Sequence, residues 1–189
     1  MTKKSKSEIF RDFVRLVKVS NHQYYQIKSG LQTLKKEGIE INSKSYGGQT
    51  LLHTAVHVGD HKLVKLFAKS GVIVDLANDQ GETPLHKAVV EGKLNIVKTL
   101  VSLGASLDLG SEFEQTPLHL AVINGNLEIA KYLIEHGADL GLVDENNNYP
   151  IDYAIDESDV KMIKYLLTTH NVDEGRMSKI NKVFEKEGK

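Results

Sequence analysis

The sequence predicts an all-α repeat fold, a solenoid of stacked helix pairs, on three observations. One phrase recurs every 33 residues: Gly48-Gln49-Thr50-Leu51-Leu52-His53, Gly81-Glu82-Thr83-Pro84-Leu85-His86, Glu114-Gln115-Thr116-Pro117-Leu118-His119 and, in worn form, Asn147-Asn148-Tyr149-Pro150-Ile151-Asp152. A second phrase keeps the same beat, as Gly71-Val72-Ile73-Val74-Asp75, Gly104-Ala105-Ser106-Leu107-Asp108 and Gly137-Ala138-Asp139-Leu140. Between them fall the mid-repeat glycines Gly59, Gly92 and Gly125. A fixed period without insertions means identical supersecondary units, each too small to bury its own apolar face, so the units must stack. Such a stack points to a binding surface rather than a catalytic pocket.

Taken in order, Ile9, Phe10, Phe13, Val14 and Val17 mark a first helix, and Tyr24, Ile27, Leu31 and Leu34 a second, closed by Gly38. Gly38-Ile39-Glu40-Ile41-Asn42 lies one period before Gly71, so residues 5–44 are expected to form an N-terminal capping unit. Units 45–77, 78–110 and 111–143 follow as full repeats, and 144–176 as a degenerate one. Within a unit, Thr50, Thr83 or Thr116 supplies a hydroxyl to the free N–H groups at a helix start. Pro84 and Pro117 occupy the first helical position, where a missing N–H costs nothing. Leu85, Ala88 and Val89 continue the apolar stripe, and Gly92 ends the short helix. A second helix carries Leu94, Ile96, Val97, Leu100 and Val101, echoed by Leu127, Ile129, Ala130, Leu133 and Ile134. Gly104 and Gly137 suit the left-handed position that closes it. A short extended arm then leads to a polar turn such as Asn78-Asp79-Gln80-Gly81.

The last repeat puts Tyr149 for Thr, Asp152 for His, Ser158 for the middle Gly and His170 for the closing Gly, while Val160, Met162, Ile163, Tyr165, Leu166 and Leu167 keep its second helix. Met177, Ile180, Val183 and Phe184 then predict an amphipathic helix over 175–187, a C-terminal cap for the stack or else a short partner-binding helix.

Thr83 to Ala88 and Thr116 to Ala121, with Thr50 to Ala55 slightly altered, spell T-P-L-H-x-A at the 33-residue period, and so the chain resembles the ankyrin repeat family over about 70% of its length. The resemblance implies an ankyrin-type α-solenoid with short β-hairpin turns between repeats and helical end caps. It also implies a non-catalytic module that binds a protein partner through a concave strip of turn tips and first-helix ends. The precedents are adaptors or scaffolds on one side and stoichiometric inhibitors of a kinase or transcription factor on the other, with a self-assembling structural repeat as a third class. Carried over by position, the tip residues are Tyr46, Asp79, Gln80, Glu112, Phe113 and Glu145, with Glu82 just behind. The helix residues are His57, Val58, Val90, Glu91, Ile123, Asn124, Asp156 and Glu157. Apolar and aromatic anchors ringed by charge are what a protein interface needs.

The net charge of −1 hides a split. Residues 1–44 carry +6, residues 45–176 carry −9 and residues 177–189 carry +2. An acidic stack is a poor nucleic-acid surface, since phosphate binding needs several Lys/Arg on one face, and it favours a protein partner of basic or mixed charge. Without cysteine there is no disulfide, thiol catalysis or cysteine-ligated zinc. The first residues have no apolar stretch of the kind a cleaved leader needs, and no run approaches transmembrane length, so the expectation is a protein without membrane insertion, cytoplasmic with a nuclear site or delivery into a host cytosol as alternatives; a monomer is also expected.

Three constellations invite a chemical reading and are better read otherwise. His53, His57 and His61 would align on one helix for a metal, but Gly59 breaks that helix, and His53 occupies the position of His86 and His119, which resemblance assigns to local hydrogen bonding. Asp144-Glu145-Asn146-Asn147-Asn148 opens like a calcium loop, yet Tyr149 stands at the sixth position and Ile155 at the twelfth, so it reads as a polar turn. No phosphate-cradling, nucleophile-elbow or zinc-protease motif occurs. Glu82 and Glu91 are expected at an open surface with nothing to shift their pKa. No cofactor, metal or catalytic residue is assigned.

Overall fold

A computed structural model describes residues 4–19, 24–169 and 171–187, so the expectation for His170 lies outside the described residues. Among the described residues there are eleven α-helices and no strand. The chain divides into two compact units, residues 1–106 and 107–189.

The first unit opens with α1 (Lys6–Val19) and α2 (Tyr24–Lys36), followed by the helix pairs α3 (Leu51–Val58) with α4 (His61–Lys69) and α5 (Pro84–Val90) with α6 (Leu94–Ser102). Helix α1 lies against both α2 and α3, α3 against α5, and α4 against α6. Phe10, Phe13, Val14 and Val17 of α1 are buried there. The Phe13 ring meets Phe67 of α4 edge-on at 6.4 Å. It does so over Gly30 of α2, where an added Cβ would stand 2.4 Å from the ring. The rest of the core comes from the two stripes that sequence periodicity marks: Leu51, Leu52, Ala55 and Val56 with Leu85, Ala88 and Val89 from first helices, Leu63, Val64 and Phe67 with Ile96, Val97 and Leu100 from second helices.

The second unit holds α7 (Pro117–Ile123) with α8 (Leu127–Glu135), α9 (Pro150–Asp156) with α10 (Val160–Thr169), and α11 (Glu174–Glu187). Helix α7 packs on α8 and α9, and α11 on α9 and α10. Ile180 and Val183 of α11 are buried. The α11 helix is tied down by Arg176, whose Nε donates to Asp152 Oδ1 at 2.7 Å and whose Nη2 donates to Asp152 Oδ2 at 3.0 Å, with Asp173 as a further partner. The Arg176 guanidinium also sits 4.5 Å above the Tyr149 ring. Tyr149 and Asp152 are two of the positions where the worn repeat departs from the signature, and both serve this contact.

Each full repeat opens as its threonine predicts. The N–H of His53, His86 and His119 donates to Oγ1 of Thr50, Thr83 and Thr116, and the histidine Nδ1 accepts in return from the threonine N–H. In the worn repeat Asp152 Oδ2 takes over the second half, accepting from Tyr149 N at 2.9 Å. Gly104 closes α6 at φ +84°, with open space where a Cβ would be, so the glycine is there for its backbone. The β-hairpin expected between repeats is reduced to a turn. Asn78 N donates to Glu82 O at 2.8 Å and Asp144 N to Asn148 O at 3.1 Å, and no ladder extends beyond these closures into a strand.

Candidate protein-binding surface

The turns owe their geometry to the side chain at their first residue. Asn78 Oδ1 accepts from the N–H of Gln80 and of Glu82, at 2.9 and 3.0 Å. Asp144 Oδ1 accepts from Asn146 and Asn148, at 2.9 and 3.0 Å. Burial alone would raise the Asp144 carboxyl, but hydrogen bonds from Tyr153, Asn148 and Asn146 outweigh it and hold the group below the usual carboxylate range. The calcium-like pentapeptide is thus a self-closed turn. Successive tips are joined by backbone, Asp79 N to Gly47 O at 3.3 Å in the first unit and Glu145 N to Phe113 O at 3.1 Å in the second. The side chains of Tyr46 and Phe113 therefore project from pinned main chain.

In the first unit, Tyr46 is 99% exposed and Val90 47%, unusual values for large apolar side chains. His57, Asp79 and Gln80 are exposed, whereas Val58, Glu82 and Glu91 are half-buried. Glu82 Oε2 accepts from Asn78 Nδ2 at 2.9 Å. Glu91 departs from the expectation of an unperturbed surface carboxylate. Lys87 Nζ lies 3.1 Å and Lys93 Nζ 2.5 Å from its two oxygens, and His57 Nδ1 lies at 3.4 Å. Burial pushes its pKa up, but the two lysines outweigh this and leave it lowered. Lys93 also donates to the carbonyls of Val56 and His57, both at 2.8 Å, so it holds the end of α3 and neutralises the strip locally. Sequence inspection missed this pairing because Lys87 and Lys93 stand at positions that vary between repeats.

In the second unit, Phe113 is 53% exposed. Glu112, Asn124, Glu145, Asp156 and Glu157 are exposed and Ile123 is half-buried. Of these, Glu112, Glu145, Asp156 and Glu157 have no salt-bridge partner among the described residues, in contrast to Glu91.

The signature histidines are structural. His53 is buried; its Nε2 donates to Glu82 O at 2.9 Å while its Nδ1 faces Thr50, an arrangement that requires the neutral imidazole. His119 does the same toward Asn148 O at 3.1 Å. Burial lowers both pKa values, that of His53 to about 4. Among the described residues, no three His, Asp or Glu side chains form a group that could hold a metal. No described helix is long and apolar enough to cross a membrane.

A further stitch escaped sequence reading. Asn42 Oδ1 accepts from Ile73 N at 2.8 Å, both Asp75 oxygens accept from Ser106 N at 3.2 Å, and Asp108 Oδ1 accepts from Asp139 N at 2.9 Å. The recurrence of Asn or Asp at 42, 75 and 108 was its one available signal.

Among the curated proteins, none matches the chain. The family model described as ankyrin repeats (3 copies) matches residues 22–111 and 103–177, well over half of the sequence. Ankyrin repeats generally mediate protein–protein interaction and are typically not catalytic. With the 33-residue period, the threonine–histidine capping box and the paired helices already in hand, the chain belongs to the ankyrin repeat family.

Proposed function

We propose that this protein is a non-catalytic adaptor or scaffold that holds a protein partner of basic or mixed charge through its turn tips and first-helix ends. The observation that carries the reading is Phe113, a half-exposed aromatic on a hydrogen-bonded tip beside Glu112 and Glu145, whose carboxylates have no salt-bridge partner among the described residues. A tip whose main chain is already hydrogen-bonded has little backbone freedom left to lose on binding, and aromatic anchors surrounded by polar residues dominate interface energetics. Tyr46 and Val90 offer the same kind of contact in the first unit. His57, Val58, Asp79, Gln80, Glu82, Glu91, Ile123, Asn124, Asp156 and Glu157 supply the rim around these anchors.

The test is affinity purification from the native cell with the parent chain and Phe113→Ala in parallel. The parent should retain a protein that Phe113→Ala loses by about 2 kcal/mol or more of binding free energy, with no change in thermal stability. Two partners held at once identify an adaptor, and a single enzyme or factor held one-to-one identifies an inhibitor. Full retention by Phe113→Ala removes the tip from the proposed site.

A further inference from the structure

Helix α1 has a second face. Phe10, Phe13, Val14 and Val17 point inward. Glu8, Arg11, Asp12, Arg15 and Lys18, at spacings of three, four, seven and ten from Glu8, share another face. That face forms one wall of a cleft of about 670 Å³, and Ser45, Tyr46 and Gln49 of the first turn tip form the other. The two carboxylates of this wall are already engaged. Glu8 Oε2 accepts from Ser5 N at 2.7 Å, and Asp12 pairs with Lys4 Nζ at 2.5 Å. Arg11, Arg15 and Lys18 are exposed and form no salt bridge among the described residues, although Arg11 is close enough to act on the charge of Glu8 and Asp12, and Arg15 on that of Asp12. Arg11 Nε donates to Ser7 O at 3.3 Å, and its terminal nitrogens make no hydrogen bond among the described residues.

We propose that the cleft between α1 and the first turn tip docks an acidic, partly apolar peptide segment of a protein partner. Charge complementarity names the occupant: Lys4, Arg11, Arg15 and Lys18 outnumber Glu8 and Asp12 along the cleft, and the exposed guanidinium groups can bind a row of carboxylates through two parallel hydrogen bonds each. The Tyr46 ring across the cleft gives an apolar residue of the same peptide a flat surface. Arg11 and Tyr46 also line a neighbouring cleft of about 790 Å³ together with Lys44, so the cationic surface continues across both. A nucleic acid fits less well, because cations interleaved with the carboxylates of Glu8 and Asp12 offer few phosphate contacts. The inference is independent of the tip reading, since Arg11, Arg15 and Lys18 lie outside that strip; only Tyr46 is shared.

Fluorescence polarisation of the full chain at physiological salt tests it, with a fluorescein-labelled peptide of alternating glutamate and leucine as probe. Saturable binding is expected, weakened by about tenfold or more in Arg11→Gln/Arg15→Gln, equivalent to at least about 1.4 kcal/mol. Glu112→Gln/Glu145→Gln should bind the probe as the parent does, and a glutamine–leucine peptide should not bind. Melting curves should be unchanged in both variants. Should the arginine pair prove destabilising, Lys18→Glu alone must still weaken the probe. Absent saturation, parental affinity in the arginine variant, or equal competition by an oligothymidylate each overturns the proposal. Because Phe113 lies in the other unit, loss of the native partner by Phe113→Ala can be scored whatever the probe does.

Discussion

His53 shows how much one repeated residue does. It closes its own helix start against Thr50 and reaches Glu82 of the next repeat, and the bond that its Nδ1 accepts from Thr50 N–H needs the neutral ring. Its folded pKa of about 4 lies below the usual unfolded value of about 6.5, so the unfolded chain takes up the proton first as pH falls. Its contribution is therefore whole above about pH 6.5 and drains away down to about pH 4. At pH 5 the loss is on the order of 2 kcal/mol. Glu91 and Asp144, with lowered pKa values, keep their contributions above the ordinary carboxylate range and lose them as pH falls from that range through their folded pKa values, which keeps them out of a comparison between pH 7 and pH 5. Denaturant midpoints at pH 7 and pH 5 should fall more for the parent than for His53→Gln. Parallel falls in the two proteins would show that the imidazole is not the group being protonated.

At the scale of the element, a first helix of seven residues such as α7 is too short to stand alone and depends on its buried stripe. Leu118 is fully buried, so Leu118→Ala should cost about 2 to 5 kcal/mol. Gln115, half-buried just before the helix, places Nε2 3.4 Å from Tyr153 Oη, and Gln115→Ala should cost less than about 1.5 kcal/mol. Chemical denaturation of the two variants measures both, and equal midpoints would reverse the assignment of faces. The stripes were legible in the sequence because helical periodicity repeats four times over. The α11 anchor was only half legible: Ile180 and Val183 stand out by spacing, but the Arg176 fork on Asp152 joins residues whose partnership no local pattern announces.

Across the whole molecule, charge is unevenly placed. The acidic balance of residues 45–176 reaches the tips at Glu112 and Glu145 and the end of α9 at Asp156 and Glu157, none with a salt-bridge partner among the described residues, while Glu91 is neutralised by Lys87 and Lys93. Encounter with a basic partner should therefore depend on the second unit's carboxylates. The on-rate of the native partner is expected to fall as salt rises, and to fall at low salt in Glu112→Gln/Glu145→Gln/Asp156→Gln, because rim charge acts chiefly through encounter. Glu91→Gln should change the on-rate little and the stability more. A salt-independent rate, unaltered by the triple variant, would remove the electrostatic part of the proposed function.

The sequence by itself determined the repeat, its period, its two helical stripes and the positions of its caps. Those features rest on interactions within a few residues or on a spacing that recurs, so a linear reading finds them. It also placed Tyr46 and Phe113 at turn tips. Tertiary structure alone decided which charges are free. Glu91, Lys87 and Lys93 meet around the end of α3, Arg176 reaches back to Asp152, and Asp12 draws in Lys4, leaving Arg11 and Arg15 facing the cleft beneath Tyr46. Long charged side chains choose partners by distance in space, and that distance exists only once the helices have packed.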